Sequence, residues 1–239
     1  MTNNFFQFKQ FVVYQNKSAM KVGTDSVLLG SWANFKNAKH ILDIGTGTGI
    51  LALMAAQKSN AIIDAVEIDY DSYLEALENI NNSNWRNRVF VHNISFQEFV
   101  KKSKRKYNII ICNPPYFINS LKSPDSNRNI ARHNNFLQLS DLITGVSTLL
   151  SYSGFFYIIL PYETGCSFIS EALKNKLFCK KKVYIKPKNT SKIKRLLLEF
   201  HKKESIIDEK ILVIEKEERH HYTDEFKELT KDFYLSFKY

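Results

Sequence analysis

The order of apolar runs constrains the fold of this chain more than any single motif. Five short apolar stretches, "HILDIG", "AIIDAVEID", "RVFVHN", "YNIIICN" and "GFFYIILP", each read as a strand. Helix-forming stretches follow them: "ILALMAAQ", "DSYLEALENINNS", "SFQEFVKKS", "LSDLITGVSTLLS" and "ETGCSFISEALKNK". Tyr73, Leu74, Leu77 and Ile80 form the expected apolar face of the second helix. Ser140 is the expected N-cap of the fourth. Strand alternating with helix predicts βαβ units, and so an α/β fold with a mostly parallel sheet and helices on both faces. "FCKKKVYIKP", "IKRLLLEFHK" and "EKILVIE" then follow one another without a long helix, so at least one antiparallel pair is expected. Residues 223–233 read as a last helix. A mostly parallel sheet binds its ligand outside the carboxyl ends of its strands, and the informative residues below fall at such ends.

With 239 residues, 44% of them apolar, the chain is long enough to bury a large α/β core. Cys112, Cys166 and Cys179 form no CxxC pair, so neither a zinc site nor a disulfide framework is expected. Isolated thiols fit a reducing, cytoplasmic setting. Met1-Thr2-Asn3-Asn4 lacks a signal-peptide core, and the apolar run Phe155–Pro161 is too short to span a bilayer. The net charge of +10 is unevenly placed. Residues 174–203 hold eleven lysines and Arg195 against Glu199 alone, a net +11. Charge concentrated in this way is an electrostatic footprint for a polyanion such as nucleic acid; a lysine-rich solvated surface is the alternative.

"LDIGTGTGIL" places Gly45, Gly47 and Gly49 between the first parallel strand and its helix. Glycines let the backbone turn tightly and approach a ligand beside a helix N-terminus. The spacing is G-x-G-x-G, whereas a dinucleotide site uses G-x-G-x-x-G to seat a pyrophosphate. Asp43, just before the loop, also disfavours phosphate and suits a cationic or hydrogen-bond-donating group such as an α-amine. Glu67 ends the second strand, about twenty residues on, where an acid can take both hydroxyls of a ribose. An amino-acid end and a ribose without phosphate describe S-adenosylmethionine.

With "NPPY" (Asn113–Tyr116) at the tip of the fourth strand, the chain resembles class I S-adenosylmethionine-dependent methyltransferases that modify amino groups. Together with "FKQFVVYQNKSAMKVGTDSVLLGSWA", "LALMAAQ", "DAVEID" and "ENINNS", it is similar to the tRNA(Val) (adenine-37)-N6-methyltransferase family. The likeness is strongest from Phe8 to Tyr116, and "MKVGTD" is its most specific part. It implies one domain over 1–239, with 1–38 covering substrate and cofactor and 39–239 a Rossmann-like core. That core would hold a seven-stranded sheet with an antiparallel edge strand. By position, Gly45, Gly47 and Gly49 would line the methionine end of the cofactor, with Asp43 behind them and Thr24 and Asp25 closing over. Glu67 would hold the ribose. Ser95 and the Phe96 backbone would meet the adenine ring, although the family tends to carry Asp where this chain has Ser95.

The resemblance also gives Asn-Pro-Pro-Tyr a purpose. The exocyclic amine of adenine is a poor nucleophile, and the side-chain oxygen of Asn113 and the carbonyl of Pro114 would orient it. Tyr116 would stack on the extruded base. Arg128, Arg132 and His133 are expected near the pocket mouth as RNA contacts or as plain surface charges. On charge alone, Lys186, Lys188, Lys192, Lys194 and Arg195 would grip an RNA backbone. The expected partner is tRNA, with no membrane and no metal, and the chain is taken as a monomer. A methyltransferase acting on a protein glutamine remains an alternative, although such enzymes carry an extra helical N-terminal domain. A DNA adenine methyltransferase and a non-catalytic RNA-binding module on the same scaffold also remain open.

Overall fold

A computed structural model describes residues 4–18, 20–115 and 137–236. Strands β1 (Phe5–Gln7) and β2 (Val12–Tyr14) form a small antiparallel pair. Next come α1 (Thr24–Trp32), β3 (His40–Ile44), α2 (Ile50–Lys58), β4 (Ile62–Glu67) and α3 (Tyr70–Asn81). β5 (Val89–Asn93), α4 (Phe96–Lys102) and β6 (Tyr107–Cys112) complete the first half. The second half holds α5 (Leu139–Leu149), β7 (Leu150–Pro161), α6 (Tyr162–Lys174), β8 (Phe178–Lys188), β9 (Arg195–His201), β10 (Asp208–Glu215) and α7 (Asp224–Thr230).

The large sheet has the order β10-β8-β9-β7-β6-β3-β4-β5. It therefore has eight strands where seven were expected. Only β9 is antiparallel to its neighbours, and it lies between β7 and β8 instead of at an edge. Burial explains its place. Leu196 to His201 are all buried, as an interior strand covered on both faces requires. The edge goes to β10, whose first four residues are exposed and which pairs parallel to β8.

Two apolar clusters flank the sheet. One includes Leu28, Leu53, Ile63, Ile111, Leu197 and Phe226; the other includes Leu42, Ile110, Val146, Ile158, Phe168 and Leu198. Neighbouring strand residues alternate between the two, the period-2 pattern of a sheet covered on both sides. The segment expected to cover substrate and cofactor also contributes to the core, since Phe8, Val13, Val27, Leu28 and Phe35 sit in the first cluster. Helix α5 is capped at Gln138, not at Ser140, which lies within the first turn. Leu139 packs on the second cluster, so the helix starts two residues earlier than a Ser140 cap would place it.

Asp64 is one of several ionisable groups buried in the sheet itself. Asp64 of β4 accepts bonds from Arg105 Nη1 at 2.8 Å and Tyr107 Oη at 2.9 Å, and pairs with His92 Nε2 at 2.8 Å. Burial alone would raise its pKa. Hydrogen bonds from His92 and Tyr107 and the charges of His92 and Arg105 outweigh that and hold it below the usual carboxylate range. A depressed folded-state pKa adds stability above the unfolded value, and that stability is lost as pH falls through the folded one. We expect Asp64→Asn to lower unfolding stability by about 2–3 kcal/mol at pH 7. In urea titrations the gap to the unsubstituted protein should close as pH falls below about 4.

Candidate active site

The pairing of β3 with both neighbours brings three strand ends to one level. Ile44 lies opposite Val66 of β4 and Cys112 of β6. Gly45, Glu67 and Asn113 each follow by one residue. A cavity of about 320 Å³ opens there, lined by 23–26 at the start of α1, by 45–48 of the glycine loop, and by Asn113. Gly45 and Gly47 have φ of +67° and +56°, a region that side chains disfavour. A Cβ on Gly45 would meet nothing within 4 Å, so the loop presents bare backbone.

Two carboxylates shape this loop. Asp43 is wholly buried beneath it. Its Oδ2 accepts from Thr46 Oγ1 at 2.5 Å and from the Ala52 N–H at 3.1 Å. Its buried Oδ1 has no hydrogen-bond partner among the described residues. Burial pushes the Asp43 carboxyl up to about 7 despite those two bonds. Glu67, 8% exposed, accepts the Gly47 N–H on Oε2 and the Asp69 N–H on Oε1, each at 2.9 Å. Burial raises its pKa as well, partly offset by those backbone donors.

The segment before α1 is stapled over this region by α3. Glu75, 1% exposed, accepts the N–H groups of Asn16, Lys17 and Ser18. Asn79 accepts the Tyr14 N–H at 2.8 Å and donates to Tyr14 O at 2.9 Å and Thr48 O at 2.8 Å. One amide thus ties the strap to the glycine loop. Gln15 Oε1 accepts the Val22 N–H at 2.9 Å, closing the strap on itself. Glu75 and Asn79 escaped the sequence reading. The fully buried face of α3 is Ser72, Glu75, Ala76, Asn79 and Ile80, while Tyr73, Leu74 and Leu77 are only half-buried. The available signal was polar residues at helical spacing among small and apolar ones, a mark of a buried face that binds backbone.

The other expected site residues divide. Thr24 and Asp25 line the cavity. Asp25 Oδ2 accepts from Arg195 Nε at 2.9 Å, so this arginine braces the cavity wall from 170 residues away. Asn113 is half-buried and its Nδ2 donates to Ser26 Oγ at 2.8 Å; Pro114 is buried. Ser95 caps α4, accepting the Glu98 N–H at 3.2 Å, a bond that the Ser-x-x-Glu spacing announces. The Phe96 ring is packed on α5, 2.4 Å from where a Cβ on Gly145 would lie. Lys186 donates to Asn189 O at 2.5 Å and Lys188 to Glu217 O at 2.9 Å, both near the β8–β9 turn that holds Lys192 and Lys194. Tyr116, Arg128, Arg132 and His133 lie outside the described residues. No helix among the described residues is long and apolar enough to cross a membrane. No group of three or more His, Cys, Asp or Glu among them could hold a metal ion.

Removing the staple should free the strap. With Glu75→Ala, three backbone donors lose a charged acceptor, and tryptic cleavage after Lys17 and Lys21 should speed up about tenfold in timed digests of the folded protein. Unchanged cleavage would show that the strap holds without Glu75.

Known proteins place this geometry. A model of the methyltransferase small domain family matches residues 16–158. A tRNA1(Val) (adenine(37)-N6)-methyltransferase of Parabacteroides distasonis is 44% identical over 98% of this chain and 99% of its own length. One of the same name from Christiangramia forsetii is 45% identical over 98% of this chain and 99% of its own. Among solved structures, a predicted O-methyltransferase from Agrobacterium tumefaciens shares the fold, with a TM-score of 0.69 at 18% identity over 87% of this chain and 96% of that one. The glycine loop between β3 and α2, the acid ending β4 and the Asn-Pro-Pro run after β6 all fall within the matched span. This chain therefore belongs to the methyltransferase small domain family and, within it, to the family of the tRNA1(Val) (adenine(37)-N6)-methyltransferases.

Proposed function

We propose that this protein transfers a methyl group from S-adenosylmethionine to the N6 amine of adenine 37 in the anticodon loop of tRNA(Val). The observation that carries this reading is a shared space: Asn113 and the glycine loop line one cavity. The names of relatives that match nearly the full chain support the substrate.

The residues present fit the cofactor. The unpartnered Asp43 Oδ1 suits a donor such as an α-amine, directly or through water. The bare backbone of Gly45 and Gly47 leaves room for a ligand to approach. The Glu67 carboxylate accepts backbone N–H groups, Gly47 and Asp69 among them, and has further lone pairs for ribose hydroxyls. Gly45, Gly47 and Gly49 would hold the methionine end with Thr24 and Asp25, and Ser95 and the Phe96 backbone the adenine. When bound, S-adenosylmethionine supplies an electrophilic methyl group on a sulfonium.

The chain's own part in the reaction is orientation. The adenine amine has its lone pair delocalised into the ring. The Asn113 side-chain oxygen and the Pro114 carbonyl accept its two hydrogens, which favours a tetrahedral nitrogen with its lone pair aimed across the cavity. The Ser26 bond fixes the plane of the Asn113 amide. Pro115 stiffens the turn and adds no competing donor. Tyr116 stacks on the extruded base, and an unpaired loop adenine is less costly to extrude than a paired one. The proton leaves after transfer, so no dedicated base is assigned. Lys186, Lys188, Lys192 and Lys194 hold the RNA backbone, with Arg128, Arg132 and His133 nearer the base.

The deciding experiment is mass spectrometry of tRNA nucleosides, mapped to position, from cells with and without the gene. N6-methyladenosine at position 37 of tRNA(Val) should vanish with the gene; a methyl group found in protein instead would end the proposal. Asn113→Ala should lower kcat by about 10²–10³-fold with cofactor affinity within about threefold of the parent. Glu67→Ala should do the reverse, weakening cofactor binding in calorimetry and sparing kcat at saturation.

A further inference from the structure

The two ends of the large sheet differ, and only one carries the cavity. At the opposite end, "KKSKRK" (Lys101–Lys106) closes α4 and enters β6 with five cations and no acid. Antiparallel β9 delivers Lys202 and Lys203 to this end, and β8 starts here with Lys180 as its third residue. The two clusters meet at the α5–β7 junction. Lys106 Nζ donates to Thr148 O at 2.6 Å, and Lys202 Nζ to Leu150 O at 2.9 Å. Burial and then the charge of Lys106 lower the pKa of Lys202; burial, Lys180 and Lys203 do the same to His201.

Aromatic rings are set among these cations. Tyr152 is 69% exposed, with Lys203 Nζ 5.5 Å from its ring centre. Phe155 stacks on His201, with Lys180 Nζ 5.0 Å from the Phe155 ring. A groove of about 850 Å³ reaches the same end, lined among others by His92, Asn93, Lys102, Lys104 and Arg105. Its one acid, Asp64, is already bound to Arg105, His92 and Tyr107. Complementing a helix dipole accounts for Lys101 and Lys102, in the last turn of α4. It does not account for Lys104, Arg105, Lys106, Lys180, Lys202 and Lys203, which lie in strands or loops. Like charges gathered in this way repel one another until a polyanion neutralises them, and the exposed ring of Tyr152 offers a face for an unpaired base.

We propose that this end of the sheet is a second RNA-binding surface, taking the phosphate backbone of the same tRNA outside its anticodon stem-loop. This rests on the tRNA reading above. Strand β6 (Tyr107–Cys112) separates Lys106 at this end from Asn113 at the other, about 23 Å at ~3.3 Å per residue. A stem-loop held at the cavity and by the β8–β9 turn leaves the distal cations unfilled, and a longer RNA reaches them.

The test compares whole tRNA with its isolated anticodon stem-loop over a range of salt. The variant Lys102→Glu/Lys104→Glu/Lys203→Glu reverses three exposed side chains, none of them at the cavity. We expect its affinity for whole tRNA to fall at least tenfold. The slope of log K against log salt should become shallower by about 2–3, near 0.9 for each phosphate no longer neutralised. Affinity for the stem-loop should stay unchanged, which also reports that the variant is folded. The matching triple Lys→Arg variant should bind whole tRNA like the parent. Unchanged tRNA affinity, or equal losses for both RNAs, would overturn the proposal. So would parent binding to phosphatidylglycerol vesicles that matches its tRNA binding and is lost in the variant. If the binding pattern holds but no tRNA is methylated, the second RNA-binding surface stands and the proposed reaction falls.

Discussion

The site depends on the parallel register of β3 with β4 and β6. Ile44 faces Val66 and Cys112, so the next residue of each strand emerges at the same height. Those residues are Gly45, Glu67 and Asn113, about 22 and 46 positions apart in sequence. A slip of one residue would send alternate side chains to the opposite face and carry Asp43 out from beneath the loop. The apolar burial on both sides of the sheet therefore fixes the geometry of the polar groups at its end.

Around that row, buried polar side chains act as braces. Asp43 ties Thr46 and the start of α2. Glu67 ties Gly47 across to β4. Glu75 and Asn79 hold the strap, and Asn79 also holds Thr48. Most of these bonds go to backbone groups of loops and helix starts, where regular pairing does not satisfy them. Arg195 adds a link from β9 to the start of α1 through Asp25. The strap, the glycine loop, β4 and β9 are therefore tied to one another around the cavity.

Charge follows the topology. Residues 174–203 form one basic block in sequence, yet β8 and β9 carry it from one end of the sheet to the other and back. Lys186, Lys188, Lys192 and Lys194 finish at the end of the sheet that carries the cavity, while Lys180, Lys202 and Lys203 join "KKSKRK" at the far end. Several members are also drawn into local bonds, as with Lys181 to Glu199 and Lys182 to Glu209. The single basic block read from composition is thus divided between the two ends of the sheet.

The sequence by itself determined the α/β class, the glycine loop, the acid after it and the Asn-Pro-Pro tip. Local chemistry specifies these: apolar runs alternate with helix formers, and only glycine readily takes the positive φ of Gly45 and Gly47. Ser95 as a cap is also legible, from Glu98 three residues on. The tertiary structure alone decided that β9 is interior, that β10 is an eighth strand at the edge, and that α3 turns Glu75 and Asn79 towards the strap. It alone joined Arg195 to Asp25 and Lys106 to the surroundings of Lys202. Those outcomes depend on which distant segments become neighbours, a property of whole-sheet packing that no local pattern of residues encodes.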